Sequence, residues 1–143
     1  MSARNPLRRL LRLREIREDQ ARAALAGASR VSGAAAELLE VRTEEYESRP
    51  GLPEMLSPTE LRGLMLQGVR SHELMSAAAE VYDRALGQTE VARRGWSAAS
   101  SELRSAEKLD QRRRREADRT AQAAAERALD ELVLTLRNLR RWI

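Results

Sequence analysis

Arg49-Pro50-Gly51-Leu52-Pro53 is followed, after Glu54-Met55-Leu56, by Ser57-Pro58-Thr59-Glu60. Three of the chain's four prolines lie between positions 50 and 58. Proline inside a helix costs about 3 kcal/mol, because it lacks the N–H and its ring clashes with the preceding turn. This stretch is therefore a break, and its last residues are also a start. Ser57 suits the N-cap, Pro58 at N1 loses no useful donor, and Glu60 at N3 can return to the Ser57 N–H in a capping box. The only other interruption is Asn5-Pro6, near the beginning. The pattern predicts one coiled-coil domain over 1–143, with a first helix at about 6–48, a loop at about 49–57 and a second helix at about 58–141.

Outward from the break, both flanks follow a seven-residue frame. In the second helix one column reads Leu61, Gly68, Met75, Tyr82, Thr89, Trp96 and Leu103. The column three residues on reads Leu64, Ser71, Ala78, Ala85, Ala92, Ala99 and Ala106. Alanines repeating at sevens mark a coiled-coil seam. In the first helix one column reads Leu7, Arg14, Ala21, Ala28, Ala35 and Arg42. Its expected partner reads Leu10, Arg17, Ala24, Val31, Leu38 and Glu45, with Leu11, Glu18, Leu25, Leu39 and Tyr46 in a neighbouring column. Trp96, among alanines in its column, reads as a packing residue.

The two helices are unequal. A tight turn near 53 would set residue 48 opposite about 58 and residue 7 opposite about 99, exhausting the first helix near 103. The remainder starts with a stretch polar on all sides, Asp110-Gln111-Arg112-Arg113-Arg114-Arg115-Glu116. It then regains an apolar stripe of Ala125, Leu129, Leu132, Leu136, Leu139 and Ile143, with Val133 and Trp142 beside it. An amphipathic segment with nothing in its own chain to cover it implies a partner surface. The predicted fold class is thus all-α: two long helices in an antiparallel coiled-coil hairpin, the second longer and ending in an unpaired segment.

Composition supports this reading. Of 143 residues, 34% are charged and 3% aromatic, with no Phe; alanine supplies much of the 42% that is hydrophobic. Alanine buries little area, so the mix suits a thin seam better than a globular core. There is no Cys, which excludes a disulfide framework and a thiolate metal site. No apolar run approaches the roughly 20 residues needed to span a membrane. The Arg-rich start lacks an apolar signal region, so a soluble cytoplasmic protein is expected. Only Lys108 among 26 basic residues is lysine, a bias read as base composition rather than function.

No catalytic, cofactor or metal constellation emerges. His72 is the single histidine and reads as a solvated residue. The acids alternate with arginines at helical spacings, as i,i+4 pairs worth about 0.3 kcal/mol each. No GK[ST] follows the scattered glycines. The run Arg112 to Arg115 points in several directions and has no aromatics for base stacking, so nucleic acid is not expected. Arg4, Arg8, Arg9, Arg12 and Arg14 lie among Leu7, Leu10, Leu11 and Leu13 in the manner of a membrane-surface helix. The continuing heptad frame favours the start of the seam instead.

Leu10-Leu11-Arg12-Leu13-Arg14-Glu15, with Glu18-Asp19, Ala21 and Leu25, resembles the opening of FliJ proteins, coiled-coil subunits of the bacterial flagellar type III export apparatus. Ala106-Glu107-Lys108-Leu109-Asp110-Gln111-Arg112-Arg113 and Ala125-Glu126-Arg127-Ala128-Leu129-Asp130-Glu131 are similar to the family's distal stretches. YscO-type subunits of virulence secretion systems share the architecture. The resemblance implies a non-enzymatic stalk and escort protein without cofactors. Such a protein would enter the channel of a hexameric FliI-type export ATPase, promote its assembly and turnover, contact the linker of the FlhA-type export gate, and recycle export chaperones. It would sit peripherally at the inner face of the cell membrane. The family's gate-binding stripe maps here onto Leu61, Met65, Gly68 and His72, with Leu61 where the family has an aromatic. Family logic also places ATPase contact at the two chain ends. This points to Arg8, Arg9 and Arg12 and, in the 109–139 segment, to Leu129, Leu132, Leu136 and Leu139.

Two other readings stay open. One is a homo-oligomeric coiled coil that self-associates through the 125–143 stripe. The other is a helix pair bound to membrane or nucleic acid, which would show steep salt dependence.

Overall fold

Both helices open on a polar residue followed by proline. In the computed structural model, which describes residues 5–143, Asn5 Oδ1 accepts the Leu7 N–H at 3.2 Å and Pro6 takes the first helical position. Ser57 Oγ accepts the Glu60 N–H, and Glu60 Oε2 accepts the Ser57 N–H, each at 3.2 Å. Each cap satisfies amides that the first turn would leave unpaired. Helix α1 runs Pro6–Glu47 over 42 residues and α2 runs Pro58–Arg141 over 84. No described residue outside the helices forms a strand, and none has positive φ.

The contacts divide the chain into two units, one of Ile16–Ser100, the other of the chain up to Glu15 with Ser101–Ile143. In the first, the helices pair antiparallel. Tyr46 meets His72 with ring centroids 5.6 Å apart, Thr89 Oγ1 donates to the Ala28 carbonyl at 3.2 Å, and Trp96 Nε1 donates to Glu18 at 2.8 Å. On α2 the residues turned inward begin at Leu64 and include Gly68, Ser71, Met75, Ala78, Tyr82, Ala85, Thr89, Ala92 and Trp96. Alternate steps of four and three keep one face on the partner, as a left-handed coiled coil requires.

On α1 the seam differs from the expected one. Ala21, Ala28 and Ala35 face inward, but their companions are Glu18, Leu25, Ser32, Leu39 and Tyr46. Arg17, Ala24, Val31, Leu38 and Glu45, expected there, are exposed, Val31 by 55%. Either column neighbours the alanines on a helix. The one chosen turns Leu25, Leu39 and Tyr46 inward and leaves Arg17 in water, where a charge costs least, while Glu45 pairs with Arg42 at 2.8 Å on the exposed side.

The pairing register is also later on α2 than a tight turn would give. Residues 48–57 form an extended connection that lies along the first turns of α2, where Pro50, Gly51 and Leu52 line a groove with Leu64 and Met65. Arg49 makes the turn-off from α1. Its Nε donates to the Tyr46 carbonyl at 3.1 Å, its guanidinium lies 4.5 Å from the Tyr46 ring centre, and it rests against Gly68. A side chain at 68 would occupy the place of that guanidinium, so glycine permits the close approach. Because the connection rather than α1 covers these turns, Leu61 is not a seam residue and is 39% exposed.

In the unit of the chain ends, Leu7, Leu11 and Arg14 turn inward, as do Leu103, Ala106 and Asp110. Arg14 pairs with Glu102 across the helices. Leu7 and Ala106 are 5% and 6% exposed. The pairing therefore reaches Asp110 rather than stopping near 103, which follows from the later register. Every residue from 111 to 143 is exposed, so α2 ends in a segment that no described residue covers.

Candidate partner-binding surfaces

The early turns of α2 carry four residues singled out by sequence. Leu61 and Met65 are exposed, Met65 by 64%, and His72 is exposed with its ring tilted against Tyr46. Gly68 is buried beneath Arg49. Three of the four thus share an accessible surface, and the fourth becomes accessible only if Arg49 swings away. The structure adds residues that the sequence reading passed over. Leu52 and Met55 in the connection are exposed, Met55 by 92%, as are Leu66 and Val69 on α2. For Leu52 and Met55 the signal available was an apolar residue inside a proline-rich break, where no heptad needs it.

In the unit of the chain ends, Arg8, Arg9 and Arg12 line a groove with Leu11, Glu15 and Arg114. All three arginines are exposed, and Arg114 Nε is paired with Asp110 at 2.9 Å. Arg4 lies outside the described residues. The same unit contains Leu129, Leu132, Leu136 and Leu139, each 57–62% exposed on successive turns of α2. The groove is basic and the stripe is apolar, so the unit offers both a charged and a hydrophobic contact.

The unit of Ile16–Ser100 holds one polar cluster inside its seam. Glu18, 5% exposed, accepts the Trp96 indole N–H and, on the same oxygen, Arg22 Nη2 at 2.7 Å. The indole hydrogen bond is the main reason the Glu18 carboxyl titrates below its ordinary value; burial opposes it, and Arg22 adds a hydrogen bond and a positive charge. Trp96 is thus more than packing: it satisfies a buried carboxylate. Sequence could have offered the pair only through the antiparallel register. No buried side-chain nitrogen or oxygen among the described residues lacks a partner. Nor do the described residues form a group of three or more His, Cys, Asp or Glu able to hold a metal. No helix among them is long and apolar enough to cross a membrane.

The family comparison gives these surfaces a setting. The model of the family described as "Flagellar FliJ protein" matches residues 2–141. The chain belongs to the FliJ family. No curated protein and no solved structure matches it. FliJ membership makes this chain a component of flagellar type III protein export. Of the flagellar and virulence systems left open by sequence, the family match favours the flagellar one.

Proposed function

We propose that this chain is a non-enzymatic stalk and escort component that binds the hexameric export ATPase and the linker of the export gate. It would work in the cytoplasm, peripherally at the inner face of the cell membrane. The observation that carries the ATPase contact is the stripe Leu129, Leu132, Leu136 and Leu139, exposed on a helical segment that nothing in the described chain covers. Burying apolar surface contributes about 25 cal/mol per Å², so a partner groove would stabilise this segment directly. Arg8, Arg9 and Arg12 would add electrostatic steering towards an acidic surface. Leu61, Met65 and His72 would contact the gate, with Gly68 joining them once Arg49 moves. A seam built on alanine keeps the paired helices close, which suits insertion into a narrow channel. Export chaperones are further candidate partners.

The test is the hydrolysis rate and hexamer population of the cognate export ATPase, with and without this protein. The full chain should raise both. A chain ending at Leu109, or the full chain with Leu132→Asp and Leu136→Asp, should raise neither. If the full chain leaves both unchanged and does not co-migrate with the ATPase, the stalk reading fails.

A further inference from the structure

The distal stripe has a charge order that the export reading does not use. Its acids come first, at Glu126, Asp130 and Glu131, and its bases last, at Arg137, Arg140 and Arg141, with Arg127 the one exception. None of these takes part in an ion pair among the described residues. Of the five exposed leucines among them, the four on one face are symmetric about residue 134: Leu132 and Leu136 lie equally far from it, as do Leu129 and Leu139. We propose that a second copy of this chain pairs antiparallel with this stripe, centred on residue 134.

In that register Leu129 of one copy meets Leu139 of the other and Leu132 meets Leu136, each layer occurring twice by symmetry. Glu126 then flanks Arg140 of the second copy at both ends. On the other flank small Ala128 lies beside large Trp142, which is 89% exposed in the single chain. A parallel pair would instead set acidic ends side by side and basic ends side by side, which like-charge repulsion disfavours. Charge order and leucine symmetry therefore select the same occupant and the same direction. Leu134, on another face, stays outside the pair. The proposal does not rest on the export reading, and the ATPase plays no part in its test.

Sedimentation equilibrium of the full chain over roughly 1 µM to 1 mM should show the mass rising from 16.1 kDa towards twice that value. Glu126→Arg and Arg140→Glu should each weaken the dimer about tenfold, because each replaces two attractive contacts with two repulsive ones. The double variant should recover the original affinity. The chain has no cysteine, so introduced thiols report geometry cleanly. A mixture of Leu129→Cys and Leu139→Cys chains should cross-link to each other faster than either does to itself. A monomer at every concentration overturns the proposal. So does preferential cross-linking of Leu129→Cys to itself, or a dimer indifferent to both charge reversals.

Discussion

Ala85→Leu tests whether the seam is held together by close approach or merely tolerates small residues. Ala85 is 4% exposed, and one turn later Thr89 reaches across to the main-chain carbonyl of Ala28 at 3.2 Å. A short side chain that bonds the opposite backbone requires the two helices to be close. Leucine adds three heavy atoms to that space. In a wider seam its burial would contribute about 2 kcal/mol of stability. Here the helices would have to part, at an overpacking cost of about 1–3 kcal/mol, and the Thr89–Ala28 bond, worth about 1 kcal/mol, would be lost. The gain is largely unavailable while both costs apply, so a net loss of about 1–3 kcal/mol is expected. For a chain of this size that lowers Tm by roughly 4–10 °C. Urea unfolding should be followed by far-UV circular dichroism and by Trp96 fluorescence in a Trp142→Phe background. Val31→Leu, at a 55% exposed position, is the control and should change stability by less than about 0.5 kcal/mol. Equal or higher stability for Ala85→Leu would refute the close-packed alanine seam.

Three further expectations concern stability. The Glu18 carboxyl is held below its ordinary value of 4.5 in the folded chain, so the unfolded state takes up the proton first. Its contribution is fully present above that value and is lost as pH falls through the lower folded pKa. Urea midpoints should therefore fall more steeply on acidification below about 4.5 for the parent than for Glu18→Gln, and parallel curves would remove Glu18 from the account. At Gly87 and Gly95 an added Cβ meets nothing within 4 Å. Replacement of either by Ala should stabilise α2 by up to about 1 kcal/mol, readable as a higher Tm, and a drop would mean the site needs glycine for another reason. Ser57→Ala removes the acceptor for the Glu60 N–H and should cost about 1 kcal/mol. Amide exchange at residues 59–61 should quicken while that at Ala85 changes far less.

The second helix was nearly transparent in the sequence, and the first was not. Ala78, Ala85, Ala92, Ala99 and Ala106 recur at sevens, and no competing column of α2 is as uniform, so its seam could be read without a partner. On α1 two columns flank Ala21, Ala28 and Ala35, and each mixes apolar with charged residues. Choosing between them depends on what lies across the seam. Glu18 is acceptable inside because Trp96 and Arg22 hydrogen-bond it, whereas nothing comparable is placed to hold Arg17. That information is three-dimensional. The register slipped from view for a related reason. Prolines announce that a helix ends, but not that the following residues will run back along the next helix, as 48–57 do. The contact between Arg49 and Gly68 fixes that path, and neither residue type advertises it. At the candidate surfaces the distal leucines were legible because nothing in the chain was long enough to cover them. The exclusion of Gly68 by Arg49 was not legible.

The distribution of large apolar side chains bears on the proposed function. Among the described residues the buried hydrophobic ones are Leu7 and four alanines, while Val69, Val91, Leu129, Leu136 and Trp142 stand outside, each more than half exposed. A globular protein reverses this arrangement. Alanine contributes little on burial, so the helices' own packing is modest, and the residues able to contribute more stand exposed. Stability and binding are then coupled: a partner that covers the distal stripe stabilises the segment that presents it, by an amount set by partner concentration relative to Kd. The same coupling makes the proposed occupants of that stripe rivals. If a second copy covers Leu129 to Leu139, the ATPase must displace it. Stimulation of hydrolysis should then be weaker, per chain added, when the protein is supplied at concentrations where it is dimeric than where it is monomeric. The Glu126→Arg chain, which keeps the leucines but weakens the pair, should remove that difference, and a difference that survives the substitution would mean the two partners use separate faces.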